Sequence, residues 1–244
     1  MYSCLLSVGH GGPEGKVDPG AVANGFTEHD VAKKAVADAA EKLKAYGAQV
    51  TVETILDGKN LIQKIAYINK HKYDLAIEFH LDAGPSSATG TTTFFYGGSS
   101  DSEKKGNVIH NALLPIIGLK SRGVKPDTSD RWGRLGFVRD TNCFAFLVEL
   151  GFITNANDLK VVQSKSAEGI AACVINYFNL STPHTMDNNA PFTDVPATHP
   201  FHDAAQWAKD NGIAKGYPDG HLGVDETLTV GRFLEFLRKY DAKK

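Results

Sequence analysis

Three short, largely apolar runs set what this chain can become: residues 3–9, 75–79 and 144–148, which lead into His10, His80 and Glu149. Runs of this length bounded by turn residues predict buried strands. Between them lie segments with helical periodicity. Thr27 is placed as an N-cap with Asp30 in the third position, and Ala32, Ala35, Val36, Ala39 and Leu43 then share one face until Gly47 stops the helix. That puts Glu28 in the first turn. QVTVET (49–54) alternates as a strand, and Leu61, Ile62, Ile65 and Ile68 predict an amphipathic helix ending near His71. TTTFFY (91–96) predicts another strand, followed by a helix over 101–117 that Pro115 should terminate or kink. RLGFVR (134–139) and CFAFLVEL (143–150) read as two more strands. A helix then runs from near Asn157 through Val161, Ile170 and Val174 to Tyr177. Strands alternating with helices predict an α/β fold: a mostly parallel or mixed twisted sheet with helices on both faces.

Three stretches fall outside this pattern. Residues 11–25 (GGPEGKVDPGAVANG) predict a long irregular loop over the strand ends, and 181–191 (STPHTMDNNAP) predict an exposed linker. Residues 192–244 predict a small all-α module, with Phe201, Ala204, Ala205 and Ala208 on one helix, a YPDG turn, and Val230, Phe233, Leu234 and Leu237 on a second helix. The expected organisation is therefore a catalytic domain at 1–180, a linker at 181–191 and a module at 192–244. With 244 residues, 42% of them hydrophobic, the chain can build one good core plus that module. A net charge of -2 without a dense Lys/Arg run argues against nucleic-acid or acidic-membrane partners. No stretch reaches the length of a membrane span. The N-terminus lacks a basic region followed by a long apolar run, which predicts synthesis in the cytoplasm without a Sec signal. Cys4, Cys143 and Cys173 lie in apolar contexts with no pairing pattern and read as small buried hydrophobes.

Zinc hydrolysis needs three protein ligands that leave a position for water, and a carboxylate beside that water. His10 and His80 at strand ends and Glu28 in a first helical turn can converge at one sheet edge. Glu149 closes an apolar run, where an unpaired charge is costly. It reads either as a general base near Zn2+ or as the partner of Arg139 or Lys125 in an ion pair. His29, one position on from Glu28, is expected to face solvent, and His71 and His110 have no partner in view. Arg139 and Asn155 read as structural hydrogen-bonders.

SVGHGG (7–12), NGFTEHDVA (24–32), FHLDAG (79–84), RGVK (122–125) and above all FLVELGFITNANDLK (146–160) occur in an order that resembles the zinc-dependent N-acetylmuramoyl-L-alanine amidases of the amidase-3 type, among them phage endolysins and bacterial autolysins. The resemblance implies Zn2+ held by His10, Glu28 and His80, Glu149 as catalytic base, and peptidoglycan as substrate, cut between N-acetylmuramic acid and L-alanine. Asp82 stands where relatives often carry Asn. FTDVP (192–196), HDAAQWAKDNGIAKGYPDGHL (202–222) and TLTVGRF (227–233) resemble one S-layer homology module. That resemblance implies binding to a secondary cell-wall polymer. Such modules usually occur in threes, and here Val230 replaces an expected arginine. The single copy raises self-association, in one form with a fragment whose translation starts at Met186. The expectation is a lysin, most simply a phage endolysin of a Gram-positive host, acting at the cell wall. The alternatives are another zinc peptidoglycan peptidase or carboxypeptidase, and a non-catalytic wall-binding protein.

Overall fold

Strand parity sorts the first part of the chain into layers. In β1 (Tyr2–Val8), Cys4, Leu6 and Val8 join one buried cluster and Leu5 another, because successive side chains leave a strand on opposite faces. The same alternation continues in β5 (Leu75–Asp82), where Leu75, Ile77, Phe79 and Leu81 face the larger cluster. Ala76 belongs to the smaller cluster, and parity gives Glu78 and His80 that same face. In β8 (Phe144–Phe152), Phe146, Val148 and Leu150 pair with the first layer, Ala145 with the second, and Glu149 shares the face of Ala145.

A computed structural model of the chain describes residues 1–12, 18–47, 49–129, 133–180, 190–196 and 198–242. It divides into two units, Met1–Ser181 and Thr182–Lys244. In the first unit six strands lie in the order β4 (Val50–Ile55), β1, β5, β8, β6 (Thr91–Phe95), β7 (Ser121–Pro126). All neighbours are parallel except β6 with β8. Helices α1 (Glu28–Leu43), α3 (Ser100–Ile117) and α5 (Ala156–Phe178) cover the larger cluster, while α2 (Leu61–Lys70) and the single turn α4 (Gly136–Arg139) cover the other face. The sheet is thus mixed, mostly parallel and covered on both sides.

Several elements depart from the expectations. RLGFVR is not a strand. Gly136–Arg139 turns once as α4, burying Phe137 and Val138, because two adjacent apolar residues carry no period that separates a turn from a strand. The sixth strand is instead β7, SRGVKP, whose polar edge sequence lacks an apolar alternation and which pairs only with β6. Within 11–25 the chain is not wholly irregular: β2 (Val22–Ala23) and β3 (Phe26–Thr27) form a small hairpin around Asn24 and Gly25, both with positive φ (52° and 82°). An Asn-Gly pair is the strongest short hairpin signal. Pro115 does not end α3, which runs on to Ile117 and stops at the left-handed Gly118. Lying in the last turn, this proline forgoes one helical bond, and the helix ends just beyond it. Thr27 does cap α1, its hydroxyl accepting from Asp30 N. Cys4 and Cys173 are buried, Cys143 is half-buried, and all three are free. No described helix is long and apolar enough to cross a membrane.

The second unit has α6 (His202–Asp210) and α7 (Val230–Asp241) around a small core of Phe192, Val195, Ala205 and Ala214. Val230, Phe233, Leu234 and Leu237 are exposed, and it is Phe236 that packs on the core. Most of the expected linker, Met186 included, lies outside the described residues. Asp194 organises the loop between the helices by accepting the backbone N–H groups of Leu222 (2.7 Å), Gly223 (2.7 Å) and Val224 (3.0 Å). Partial burial opposes its charge, but the donated N–H groups prevail and hold the carboxyl below its ordinary value.

A carboxyl with a lowered folded-state pKa contributes stability that is full above its unfolded pKa, near 3.9, and lost as pH falls through the folded one. The second unit is therefore expected to lose stability below about pH 4, and Asp194→Asn should flatten that acid limb. Trp207 fluorescence in a Trp132→Phe background, recorded during urea unfolding across pH, measures it.

Candidate metal centre

The C-terminal ends of β1, β5 and β8 meet at one edge of the sheet. His80, near the end of β5, lies in register with Glu149 on β8, so the two share a face on neighbouring strands. His10 follows β1 in a left-handed backbone conformation (φ 61°), with Gly11 also at positive φ. Glu28 is the first residue of α1, where the helix dipole favours a carboxylate, and the β2–β3 hairpin delivers it over the sheet edge.

These three side chains converge. His80 Nδ1 lies 2.9 Å from Glu28 Oε1 and His10 Nε2 lies 3.2 Å from the same oxygen. One ligand atom from each residue falls within 4.8 Å of the others, as a single cation requires. Backbone N–H groups hold the carboxylate as well: Leu81 N donates to Glu28 Oε1 at 3.2 Å and Ala21 N to Oε2 at 3.0 Å. The outer nitrogen of each imidazole also has a carboxylate, Asp18 on His10 Nδ1 (2.9 Å) and Glu78 on His80 Nε2 (3.1 Å). Burial opposes the charge of Glu28, yet the two imidazoles hold its carboxyl below the usual range. Burial likewise opposes a charged His80, and Glu28 and Glu78 overcome it and raise its pKa. Asp18, Glu28 and Glu78 thus surround the two imidazoles with carboxylates, and His10, Glu28 and His80 are the residues that could hold a metal ion.

The trio opens into a cleft of about 720 Å³ that Glu149, Thr92, Asp82, Arg122 and Lys125 also line. The structure thus brings His10, Glu28, His80 and Glu149 to one place. Arg139 belongs elsewhere: its guanidinium is bound by the fully buried Asp127 at 2.8 and 2.9 Å and stacks over Tyr96. Asn155 caps α5 and donates to the carbonyl of Ala88. His29 is not solvated as expected. It is buried beneath the end of β1, with Nδ1 3.1 Å from the carbonyl of Gly9 and Nε2 3.1 Å from Asp57. One step around α1 from Glu28 points into the layer under the His10 turn, not to water. His110 also finds partners, Thr93 and Ser121, and His71 bonds the carbonyl of Tyr67.

Sequence reasoning missed the supports: Asp18 and Glu78 on the two rings, and Lys64 and Ser7, which bond Glu78 Oε2 at 3.0 and 3.1 Å. A signal for two of them exists. Glu78 interrupts the apolar run of β5 two residues before His80, hence on the same face, and Lys64 falls on the apolar stripe of α2 between Leu61 and Ile68.

The fold and this cleft define an α/β protein with a His-Glu-His cluster at parallel strand ends. The family model described as N-acetylmuramoyl-L-alanine amidase matches residues 4–176, and the S-layer homology domain model matches 191–229, stopping just before Val230. The chain belongs to the N-acetylmuramoyl-L-alanine amidase family and is a peptidoglycan amidase carrying an S-layer homology domain. Among its relatives, the uncharacterized protein YqiI of Bacillus subtilis strain 168 is 30% identical over 183 residues, 71% of this chain and 84% of that one. The N-acetylmuramoyl-L-alanine amidase CwlM of Bacillus licheniformis is 26% identical over 190 residues, 74% of this chain and 70% of CwlM. The catalytic domain of CwlV from Bacillus (Paenibacillus) polymyxa var. colistinus superposes with a TM-score of 0.64 at 24% identity, covering 74% of this chain and all of that domain, a likeness of fold.

Removing the Arg139 guanidinium strands the buried Asp127 charge, which costs about 3–5 kcal/mol. Arg139→Met is expected to lower the urea midpoint accordingly, and Asp127→Asn added to it should restore part of the loss. Full stability in the single variant would contradict the structural role.

Proposed function

We propose that this amidase is zinc-dependent, with His10, Glu28 and His80 as ligands and Glu149 as the catalytic base, and that it is a lysin directed to Gram-positive walls. The observation that carries the reading is the convergence of two imidazoles and one buried carboxylate within 4.8 Å, with Glu149 beside His80 in register. Two neutral nitrogens and one carboxylate are a common catalytic zinc set, and the cleft leaves the centre open on one side. Zinc, when bound, supplies Lewis acidity, lowering the pKa of water and polarising the scissile carbonyl. Glu149 takes a proton from the attacking water and returns it to the departing amine of L-alanine. Glu28 and the two rings hold their ligand atoms fixed, Glu28 through the N–H groups of Leu81 and Ala21, so little reorganisation accompanies the reaction.

In the same reading residues 1–180 are the catalytic domain, 181–191 a linker and 192–244 a module that binds a secondary wall polymer. The family match at 191–229 supports the module. Self-association through it, alone or with a fragment starting at Met186, is a separate part of the reading. Sedimentation as a monomer, with no such fragment by intact mass, rejects it. The endolysin role is tested by expressing the chain inside a Gram-positive host and permeabilising the membrane. Lysis only after permeabilisation is the expected result.

Glu149→Gln should reduce the rate of amide cleavage by about 10²- to 10⁴-fold while zinc content stays near one per chain. Release of L-alanine amino termini from purified wall, read by mass spectrometry, and metal analysis measure the two. Unchanged activity, or new termini elsewhere in the peptide, would reject the mechanism.

A further inference from the structure

Beneath His80 lies an ion pair that the reaction does not use. Glu78 and Lys64 are each 3% exposed, with Glu78 Oε2 3.0 Å from Lys64 Nζ. Both carboxylate oxygens and the ammonium are bonded within the protein. Glu78 Oε1 accepts from His80 Nε2 at 3.1 Å, and Oε2 also accepts from Ser7 Oγ at 3.1 Å. Lys64 Nζ donates to Glu78, to the carbonyl of His10 at 3.1 Å, and to the carbonyl of Val8. An ammonium has three donors, and all three are spent here. Stability alone does not call for such a pair, since burying two charges costs several kcal/mol and apolar residues of similar volume commonly do as well.

Geometry gives the pair another use. With a cation on Nδ1 the ring's one hydrogen lies on Nε2, and Glu78, whose carboxylate only accepts, is the group placed to bind it. Nδ1 is the atom that faces Glu28, 2.9 Å from its Oε1. The same Lys64 that anchors Glu78 also grips the backbone on both sides of Gly9, through the carbonyls of Val8 and His10. One ammonium therefore joins the support of His80 to the turn that carries His10. The other histidine's carboxylate, Asp18, has a side chain 62% exposed and is the weaker clamp.

We propose that Glu78, anchored by Lys64 and Ser7, is a positioning residue of the metal centre: it binds the Nε2–H of His80 and so holds the ring with Nδ1 presented to the cation, and Lys64 couples that hold to the His10 turn. This rests on His10, Glu28 and His80 being the zinc ligands. Outer partners of this kind commonly change metal affinity by about 10- to 100-fold.

The test measures zinc affinity of the full chain by competition with a chromophoric chelator, for wild type, Glu78→Gln, Glu78→Asp and His80→Ala. Glu78→Asp keeps a charge opposite Lys64 but withdraws it from the ring, so it serves where Glu78→Gln does not fold. The expected result is a fall of about 10- to 100-fold in affinity for the folded Glu78 variant and a larger loss for His80→Ala. A second readout is spectroscopic. 1H–15N spectra of zinc-loaded protein should show the Nε2–H of His80 as a downfield, slowly exchanging proton in wild type and shifted or lost to exchange in the variant. A packing role alone leaves that signature unmoved. Wild-type affinity in a folded Glu78 variant, or an unchanged Nε2–H signal, overturns the proposal while a loss in His80→Ala leaves the zinc reading standing. Wild-type affinity in His80→Ala fells the zinc reading and the proposal with it.

Discussion

The buried carboxylate of Glu28 is the constraint on which the first unit depends. A carboxylate 4% exposed is untenable unless its surroundings replace water, and here two imidazoles, two backbone N–H groups and a helix N-terminus do so. Each partner arrives on a different element. His80 needs β5 in the sheet interior, His10 needs the turn after β1, Leu81 N needs the irregular end of β5, and Ala21 N needs the β2–β3 hairpin. Misplacing any of them leaves a charge without compensation. The centre is thus a test of the whole sheet edge and of α1's starting point.

The layered α/β plan and the trio were readable because they rest on periodicity and on polar residues at the ends of apolar runs. Thr27, Ala32, Ala35, Val36 and Leu43 announce a helix whose first residue must be Glu28. β7 and α4 were not readable, for a shared reason: their structure is imposed by partners. SRGVKP is a strand because β6 offers it a free edge, and GFVR turns because the buried Asp127 draws Arg139 back. The hairpin at Asn24 and Gly25 was legible in principle, but the glycines and prolines around it masked two-residue strands. His29, Lys64 and Glu78 expose another limit. A polar residue beside a ligand looks like surface until the strand above it is in place.

The second unit shows how little core an S-layer homology domain of this size requires. A cluster of Phe192, Val195, Ala205 and Ala214 and one carboxylate binding three successive N–H groups organise the described residues, and α7 contributes chiefly Phe236 to that cluster. Just beyond the end of the family match stands Arg232, two positions after Val230. Its guanidinium pairs with Glu226 and lies over Tyr217, so this stretch keeps an arginine tied to the loop that Asp194 organises.

Two residues that donate nothing to the centre set its dimensions. A Cβ on Gly9 would stand 2.2 Å from Cε1 of His80, and one on Gly20 would stand 2.5 Å from Cδ2 of His10 and 2.6 Å from Glu28 Oε2. No side chain, however small, fits either place without displacing a ring. In a saturation library scored for activity, positions 9 and 20 would therefore be as intolerant as 10, 28 and 80. A search for functional residues by tolerance alone would return the walls of this site together with its ligands, and only the chemistry of the side chains tells the two apart.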